Sequence, residues 1–599
     1  MRLTSFKALL FIVFTLTALP IPLLALDQVD LKVAGGDKDL KSALENASLV
    51  LAAQDDADKD TRDVFASALA EYGRLTQVLY ANGYYSGTVR VLVDGREAAQ
   101  IPVFNVPTAI RSVQISVTPG KPFTFSVAQA APLAPGTALP QDFRKGEVAK
   151  SVLVQSAADA SVAGWRNVGH AKAALSGQKI TANHATSTLS ASLFLSPGPK
   201  VRFGRLVQKT PSAVRADRIA RIAGFPDGHI FSPDELEKVA NRLRRTGAFS
   251  SVSLTEADTL GSGDTLDIGL ELVDAKPRRY GFGAELSSLE GLELSAFWLH
   301  RNMFGGAERL KVEGGVSGIG GQHGGVDYNL GVRIEQPATF GPDTNAFAFA
   351  SIAYEDEPGY ISRVANLGGG VTRIFSDTLE AEFGAALRYS ETTDTLGDRR
   401  FFLFTLPSSV TWDRRNNKLD ATQGTFLKAE AIPFISLDNG GTGAWLYGDG
   451  RAYRGFGAED RFVLAGRVQV GSVFASNNNN IPPDYLFYSG GGGTVRGQPY
   501  QSLGLPAGDE SVTGGQSFVS LSAELRTQIT DTIGVVGFVD AGHVAAGSFF
   551  ADQGDWHAGA GLGVRYKTPI GPLRLDVAAP IYGDTGDGVQ LYLGIGQAF

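Results

Sequence analysis

The residues that could do chemistry are few and of one kind. The 599-residue chain has no cysteine and only seven scattered histidines. Disulfides, thiolate nucleophiles and thiolate metal sites are therefore excluded, and no histidine cluster is spaced for a metal. No Gly-x-Ser-x-Gly elbow, P-loop or His-Glu-x-x-His occurs, so no nucleophile, phosphate cradle or zinc pair is set up by spacing. Gly318-Ile319-Gly320 could open a dinucleotide turn, but no helix pattern follows it. What remains is ionic recognition. Arg496 stands in Gly491-Gly492-Gly493-Thr494-Val495-Arg496-Gly497-Gln498-Pro499-Tyr500, where flanking glycines let a loop fold back and carry a guanidinium with it. A cation held in a confined space needs an anionic partner, and a planar guanidinium suits two carboxylates better than an ammonium does. The residues alone leave two readings, an ionic clasp or a solvent-exposed loop arginine, and neither calls for a catalytic residue, a cofactor or a metal.

Composition places that clasp in a membrane setting. The 62 acidic and 54 basic side chains give a net charge of −8, and no basic run stands out, which argues against a nucleic-acid partner. With 43% hydrophobic residues the chain is no long disordered segment. Arg2 and Lys7 precede an apolar run from Ala8 to Leu26, the layout of an export signal over residues 1–25 with cleavage after Ala25. Leu23 departs from the small-residue rule at the −3 position, and an uncleaved anchor is the alternative. After this segment no apolar stretch is long enough for a spanning helix, so any membrane crossing must use strands.

Two architectures share the chain, divided near residue 276. Before it, a helix followed by glycine and a strand recurs three times, pivoting on Gly83, Gly169 and Gly247, which are 86 and 78 residues apart. A glycine just past a helix is the usual left-handed cap, and Ser232-Pro233-Asp234-Glu235 carries the proline and acids of a helix start. The period suggests three α+β modules in series, over 26–108, 109–199 and 200–275. After it, 53 of the 73 glycines fall in Lys276–Phe599 and apolar residues alternate with polar or small ones. Val519, Leu521, Ala523 and Leu525 alternate with Ser520, Ser522, Glu524 and Arg526; Leu573, Leu575 and Val577 with Arg574 and Asp576; Leu591, Leu593 and Ile595 with Tyr592, Gly594 and Gly596. That two-residue period is that of strands between lipid and a wet lumen, which in a membrane must close into a barrel. At roughly 20 residues per strand and connection, residues 276–599 make about 16 strands. By the same parity Glu524 and Asp540 face inward.

Three stretches carry a family resemblance. They are Asp413-Arg414-Arg415-Asn416-Asn417-Lys418-Leu419-Asp420-Ala421-Thr422-Gln423-Gly424, the loop around Arg496, and Gly571-Pro572-Leu573-Arg574-Leu575-Asp576 before the aromatic-ended last strand. Together they closely resemble the bacterial surface antigen superfamily of outer-membrane assembly and translocation barrels. The resemblance implies tandem α+β polypeptide-transport-associated (POTRA) modules in the periplasm, followed by an all-β 16-stranded antiparallel transmembrane β-barrel. Three modules are similar to the TamA-like subgroup, the barrel subunits of the translocation and assembly module. The family loop motif has an aromatic residue where Gln498 stands here.

The resemblance implies that Arg496 and Gly497 lock the loop against lumen acids, for which Glu524 and Asp540 are the candidates. It implies a lateral seam between the first strand and the last, Gln590–Phe599, with Gly594, Gly596 and Phe599 at its edge. Asp413, Arg415 and Gly424 are the barrel-motif residues. The function implied is insertion or translocation of autotransporter-type and other β-barrel proteins, without chemical turnover. The partners implied are an inner-membrane-anchored TamB-like protein, unfolded outer-membrane clients and outer-membrane lipids. A polypeptide secretion channel of the two-partner type and a lipid-transport barrel are the alternatives.

Overall fold

The computed structural model of the chain describes residues 26, 28–54, 60–104, 106–322, 324–507, 512–569 and 571–599. The expected export signal over residues 1–25 lies outside the described residues. The chain forms two compact units: 1–203 with 228–234 and 261–266, and 204–227 with 235–260 and 267–599.

The first unit holds the first two modules. Helix α1 (Thr61–Ala81) starts at a capping box in which Asp60 and Asp63 each accept from the other's backbone N–H. It ends at Gly83, whose φ of +88° only glycine adopts readily. Leu75 and Leu79 of α1 are buried against Val91 and Ile115 of the first sheet. In that sheet Ser112–Thr118 pairs parallel with Gln28–Val33 and antiparallel with Thr88–Val93. The junction expected at 108/109 is therefore corrected to between Thr118 and Thr124, because the central strand of the first sheet lies beyond it. The second sheet joins Thr124–Ala131, Thr188–Ser196 and Ala174–Asn183, and helix α2 (Ser151–Asn167) buries Val154, Ala157 and Ala158 in its core.

The third sheet is Arg202–Gln208, Thr265–Asp274 and Phe249–Glu256. Its helix α3 (Pro233–Arg245) runs into Gly247, with φ +69°, and then the strand from Phe249. The core of this module, Ile222, Val239, Leu243 and Leu270 among others, continues into Ala307 and Ala338 of two barrel turns. Polar contacts reinforce that junction. Asp343 accepts from Arg242 Nη2 at 2.8 Å and pairs with Arg245, and Arg215 Nη1 donates to the Phe304 carbonyl at 2.7 Å.

The barrel closes on itself with sixteen strands. They are β1 (Arg278–Ser287), β2 (Gly291–His300), β3 (Arg309–Ile319) and β4 (Asp327–Gln336). Then come β5 (Thr344–Glu357), β6 (Tyr360–Ser376), β7 (Leu379–Asp394) and β8 (Gly397–Thr405 with Ser408–Asp413). The second half has β9 (Gly424–Ser436), β10 (Thr442–Phe456), β11 (Phe462–Ala475) and β12 (Ser517–Gln528). It ends with β13 (Ile533–Ala545), β14 (Gly554–Tyr566), β15 (Leu573–Tyr582) and β16 (Gln590–Ile595). Strand β8 is split at Leu406-Pro407, where proline has no N–H for the ladder, yet both parts lie between β7 and β9. Alternation holds through the wall: Leu521, Leu525, Leu573, Leu575 and Val577 are exposed outward, while Ser520, Glu524, Arg574 and Asp576 are buried inward. Among the described residues no helix is long and apolar enough to cross a membrane.

Candidate functional site: the loop clasp and the seam

The connection between β11 and β12 folds back into the lumen. Gly490, Gly491 and Gly497 take φ values of +116°, +88° and +91°, which turn the chain sharply on either side of Arg496. A Cβ on Gly497 would lie 2.7 Å from the Ala579 carbonyl oxygen of β15, so only glycine lets the backbone approach the wall this closely. There the Gly497 N–H donates to Tyr592 Oη at 3.1 Å and its carbonyl accepts from Gln590 Nε2 at 3.0 Å. Gln498 occupies the family's aromatic position as a wholly buried amide. Its Nε2 donates to the Ala558 and Tyr582 carbonyls at 2.9 and 3.1 Å, and its Oε1 accepts from Thr585 Oγ1 at 2.9 Å. Hydrogen bonds to the wall thus replace aromatic packing at that position.

Arg496 is 2% exposed and makes a fork against Asp540, Nε to Oδ2 at 2.8 Å and Nη2 to Oδ1 at 3.1 Å. Its Nη1 lies 2.8 Å from Glu524 Oε1 and 3.1 Å from Asp576 Oδ2, and its guanidinium sits 3.6 Å from the centre of the Phe538 ring. The Glu524 approach is a charge contact whose angles do not make a hydrogen bond, which is why Oε1 has no hydrogen-bond donor among the described residues. Two further arginines complete the group: Arg526 donates from Nε to Glu524 Oε2 at 2.8 Å, and Arg565 pairs with Asp576. Three cations face three carboxylates, so the buried cluster is neutral, the condition under which burial is tolerable.

The structure therefore brings together Arg496, Gly497, Glu524 and Asp540. Asp576, Arg526, Arg565 and Phe538 were missed as clasp residues. Their signal was present in the parity of the strands, which already placed Asp576 and Arg526 inward. A second pin lies nearby, where the ring nitrogens of buried His557 are 2.8 Å from Ser489 Oγ and from Thr585 Oγ1. No carboxylate backs that serine–histidine pair among the hydrogen bonds described, so it lacks the third member of a nucleophilic triad.

The seam is built differently. Strand β1 pairs with β2 along its whole length, Arg278 opposite His300 through Ser287 opposite Gly291. With β16 it pairs only at Leu286 opposite Leu593 and Ser287 opposite Tyr592, followed by a Ser288 N–H to Leu591 carbonyl bond at 3.0 Å. The rest of that edge, from Arg278 to Glu285, has no strand partner among the described residues, and its outward Tyr280 and Phe282 are 60% and 85% exposed. One ion pair bridges the gap, between Arg574 on β15 and Glu285 on β1. Gly594 lies between them, opposite Arg574 in the ladder, and a Cβ there would come within 3.5 Å of both the guanidinium and the Glu285 carboxyl carbon. Gly594 thus clears a path for the arginine to cross the last strand.

Two seam expectations are corrected. Strand β16 ends at Ile595, and Gly596, with φ +100° and its N–H donating to the Pro572 carbonyl at 2.7 Å, turns the chain out of the sheet. Phe599 then lies inside the lumen, packed with Tyr453, Ala421 and Ala465, and its carbonyl accepts from Arg526 Nη2 at 3.2 Å. Neither Gly596 nor Phe599 is on the seam edge.

The barrel-motif residues form a turn on the side of the third module. Arg415 makes a fork onto Asp413, with both hydrogen bonds at 2.9 Å, and lies over the Phe426 ring at 4.6 Å. Gly424, with φ +106°, faces the Arg414 carbonyl so closely that any Cβ would overlap it. These three residues are brought together, away from the Arg496 clasp, as the closure of the β8–β9 turn.

Comparison with known proteins agrees with this architecture. Residues 302–599 match the Omp85 superfamily domain. The outer membrane protein assembly factor BamA of Neisseria meningitidis serogroup B is 21% identical over 495 residues, covering 71% of this chain and 60% of that protein. BamA of Neorickettsia risticii is 22% identical over 404 residues, covering 61% and 50%. The chain thus spans between half and two thirds of the length of these relatives. Among solved structures, BamA from Haemophilus ducreyi lacking POTRA domains 1–3 aligns with a TM-score of 0.61 at 16% identity, over 79% of this chain and 100% of that one. CdiB from Acinetobacter baumannii aligns with 0.50 at 12%, over 80% and 90%. The sixteen-strand closure, the inward-folded loop and the match over residues 302–599 make the barrel an Omp85 superfamily domain of the outer membrane, with POTRA modules in the periplasm.

Proposed function

We propose that the protein assists the insertion or translocation of other β-barrel proteins, autotransporter-type clients included, by lending the open edge of β1 to a client strand. The observation that carries this reading is the seam. An edge of unpaired backbone donors and acceptors from Arg278 to Glu285 is costly against hydrocarbon and is a template for an added strand. Support comes also from the BamA relatives, which are outer membrane protein assembly factors. No nucleotide is needed, because burial of the client's apolar face and pairing of its backbone supply the free energy. In this reading the periplasmic modules receive the unfolded client and dock an inner-membrane-anchored TamB-like partner.

The test is site-specific photocrosslinking in cells, with probes at the lipid-facing Leu593 and Ile595 and at Lys428 on the lumen side of β9. Glu524 is too buried to carry a lumen probe. Client strands captured at Leu593 and Ile595 are expected. Capture of exported soluble chains at Lys428 alone would replace this reading with a secretion channel.

A further inference from the structure

The outer wall of the barrel carries a feature that neither the clasp nor the seam uses. At the ends of β4 to β8 remote from the third module, one outward row runs straight across the ladder. It comprises Tyr328, Tyr354, Arg363, Glu391 and Arg400, each opposite the next in register. Just inside this row the wall presents Leu330, Ile352 and Ala365, and between the two rows lies a groove of about 460 Å³. Ala365 makes the depression, since it sits between the larger Ile352 and Tyr389 on neighbouring strands. Elsewhere on the outer wall Leu286, Val470 and Ile581 face out, and Val519 stands opposite His543 and Trp556 in the ladder. Among the described residues, Arg363 and Arg400 are the arginines that the strands turn outward in this half of the barrel.

Their partners leave charge unspent. Glu391 accepts from Tyr389 Oη at 2.9 Å and lies 3.6 Å from Arg400 Nε. Arg363 lies 5.8 Å from the centre of the Tyr354 ring, and no carboxylate is within ion-pair distance of it among the described residues. An exposed arginine beside a tyrosine at the boundary of a hydrocarbon layer is placed to take an anionic headgroup, with acyl chains in the groove beneath.

We propose that this groove binds a bis-phosphorylated, acylated glycolipid of the outer leaflet. Arg363 and Arg400 are two strands apart, about 10 Å across the ladder, a span that suits two phosphates on one disaccharide better than the single phosphate of a phospholipid. Glu391, between them, accepts a sugar hydroxyl. Arg363 donates a forked pair of hydrogen bonds to one phosphate while Tyr354 and Tyr328 flank the sugar.

Native mass spectrometry of the full chain in detergent micelles tests this with three probes: bis-phosphorylated lipid A, the same lipid stripped of phosphate, and phosphatidylglycerol. The wild-type chain should retain the bis-phosphorylated lipid about tenfold better than either of the others, a charge-assisted pairing effect. Arg363→Ala with Arg400→Ala should abolish that preference, while Arg373→Ala, which removes an outward arginine at the opposite end of β6, should keep it. If the double variant does not fold, Arg363→Gln alone serves, with an intermediate loss expected. Equal retention of the dephosphorylated lipid, equal retention of phosphatidylglycerol, or an unchanged preference in the arginine variants would each overturn the proposal.

Discussion

Two inward arginines of the same wall are held in opposite ways. Arg496 is enclosed by Asp540, Glu524, Asp576 and the Phe538 ring, in a cluster whose charges cancel. Arg574, two residues from Asp576, has one carboxylate, Glu285, whose side chain is 44% exposed. The clasp anchors sit on β12, β13 and β15, and none is on β1. The loop can therefore stay locked to the C-terminal wall while β1 separates from β16. Its direct tie to the first hairpin is the Gly492 N–H donating to Glu290 Oε1 at 2.7 Å. A barrel built this way has one junction made to persist and one made to part, and each part of that contrast can be broken separately.

The largest effect should follow from Arg496→Ala. It leaves three buried carboxylates with two arginines, and removing one member of such a network costs about 3–5 kcal/mol. Unfolding of the detergent-solubilised barrel, followed by heat-modified gel mobility, should shift to markedly lower temperature. Arg496→Lys should recover only part of this, because an ammonium cannot make the fork on Asp540. Wild-type unfolding in Arg496→Ala would remove the contrast between the two junctions.

A third junction ranks between them, where α3 meets the β4–β5 turn. Burial would raise the Asp343 carboxyl, but hydrogen bonds from Arg242 and Arg245, and then their charges, outweigh it and lower the pKa from 3.8 to about 2. A carboxylate depressed in the folded state stabilises fully above its unfolded pKa, near 3.9, and loses that contribution as pH falls through the folded value. Docking of α3 should therefore be intact from neutral pH to about pH 4 and weaken between about pH 4 and pH 2. Hydrogen exchange in Pro233–Arg245, corrected for intrinsic rates, should show the loss. Asp343→Asn should show it already at neutral pH, by about 1–3 kcal/mol, as expected when hydrogen bonds to a charged group are lost.

What the chain discloses before folding divides along the same lines. The alternation Val519–Arg526 placed Glu524 inward because strand parity is local, and Arg496 stood out because glycines surround it. Asp576 had the same parity, but its meeting with Arg496 depends on how the wall curves to bring residues 80 apart together. The first-module boundary was misplaced because Ser112–Thr118 joins its sheet through a parallel partner more than 80 residues upstream, a pairing that no local pattern announces. Gly596 and Phe599 continued the alternation of β16 in sequence. One positive φ at Gly596 was enough to take Phe599 into the lumen.

The smallest and most specific effect belongs to the seam, and the absence of native cysteine makes it measurable. Leu286 and Leu593 face each other in the short β1–β16 ladder, so Leu286→Cys with Leu593→Cys should form a disulfide under mild oxidation in the closed barrel. Glu285→Gln removes the ion pair but keeps the shape of the side chain. For a pair this exposed the loss is about 0.5–1 kcal/mol, enough to lower the rate of disulfide trapping by about two- to fivefold. Gly594→Val should do the same by another route, since its Cβ occupies the path that Arg574 takes across β16. Because both changes act on one contact, Glu285→Gln combined with Gly594→Val should be no worse than the stronger single variant. Additive losses would mean that Gly594 serves the ladder and not the arginine. Neither variant should move the unfolding temperature as far as Arg496→Ala, because the clasp has no anchor on β1.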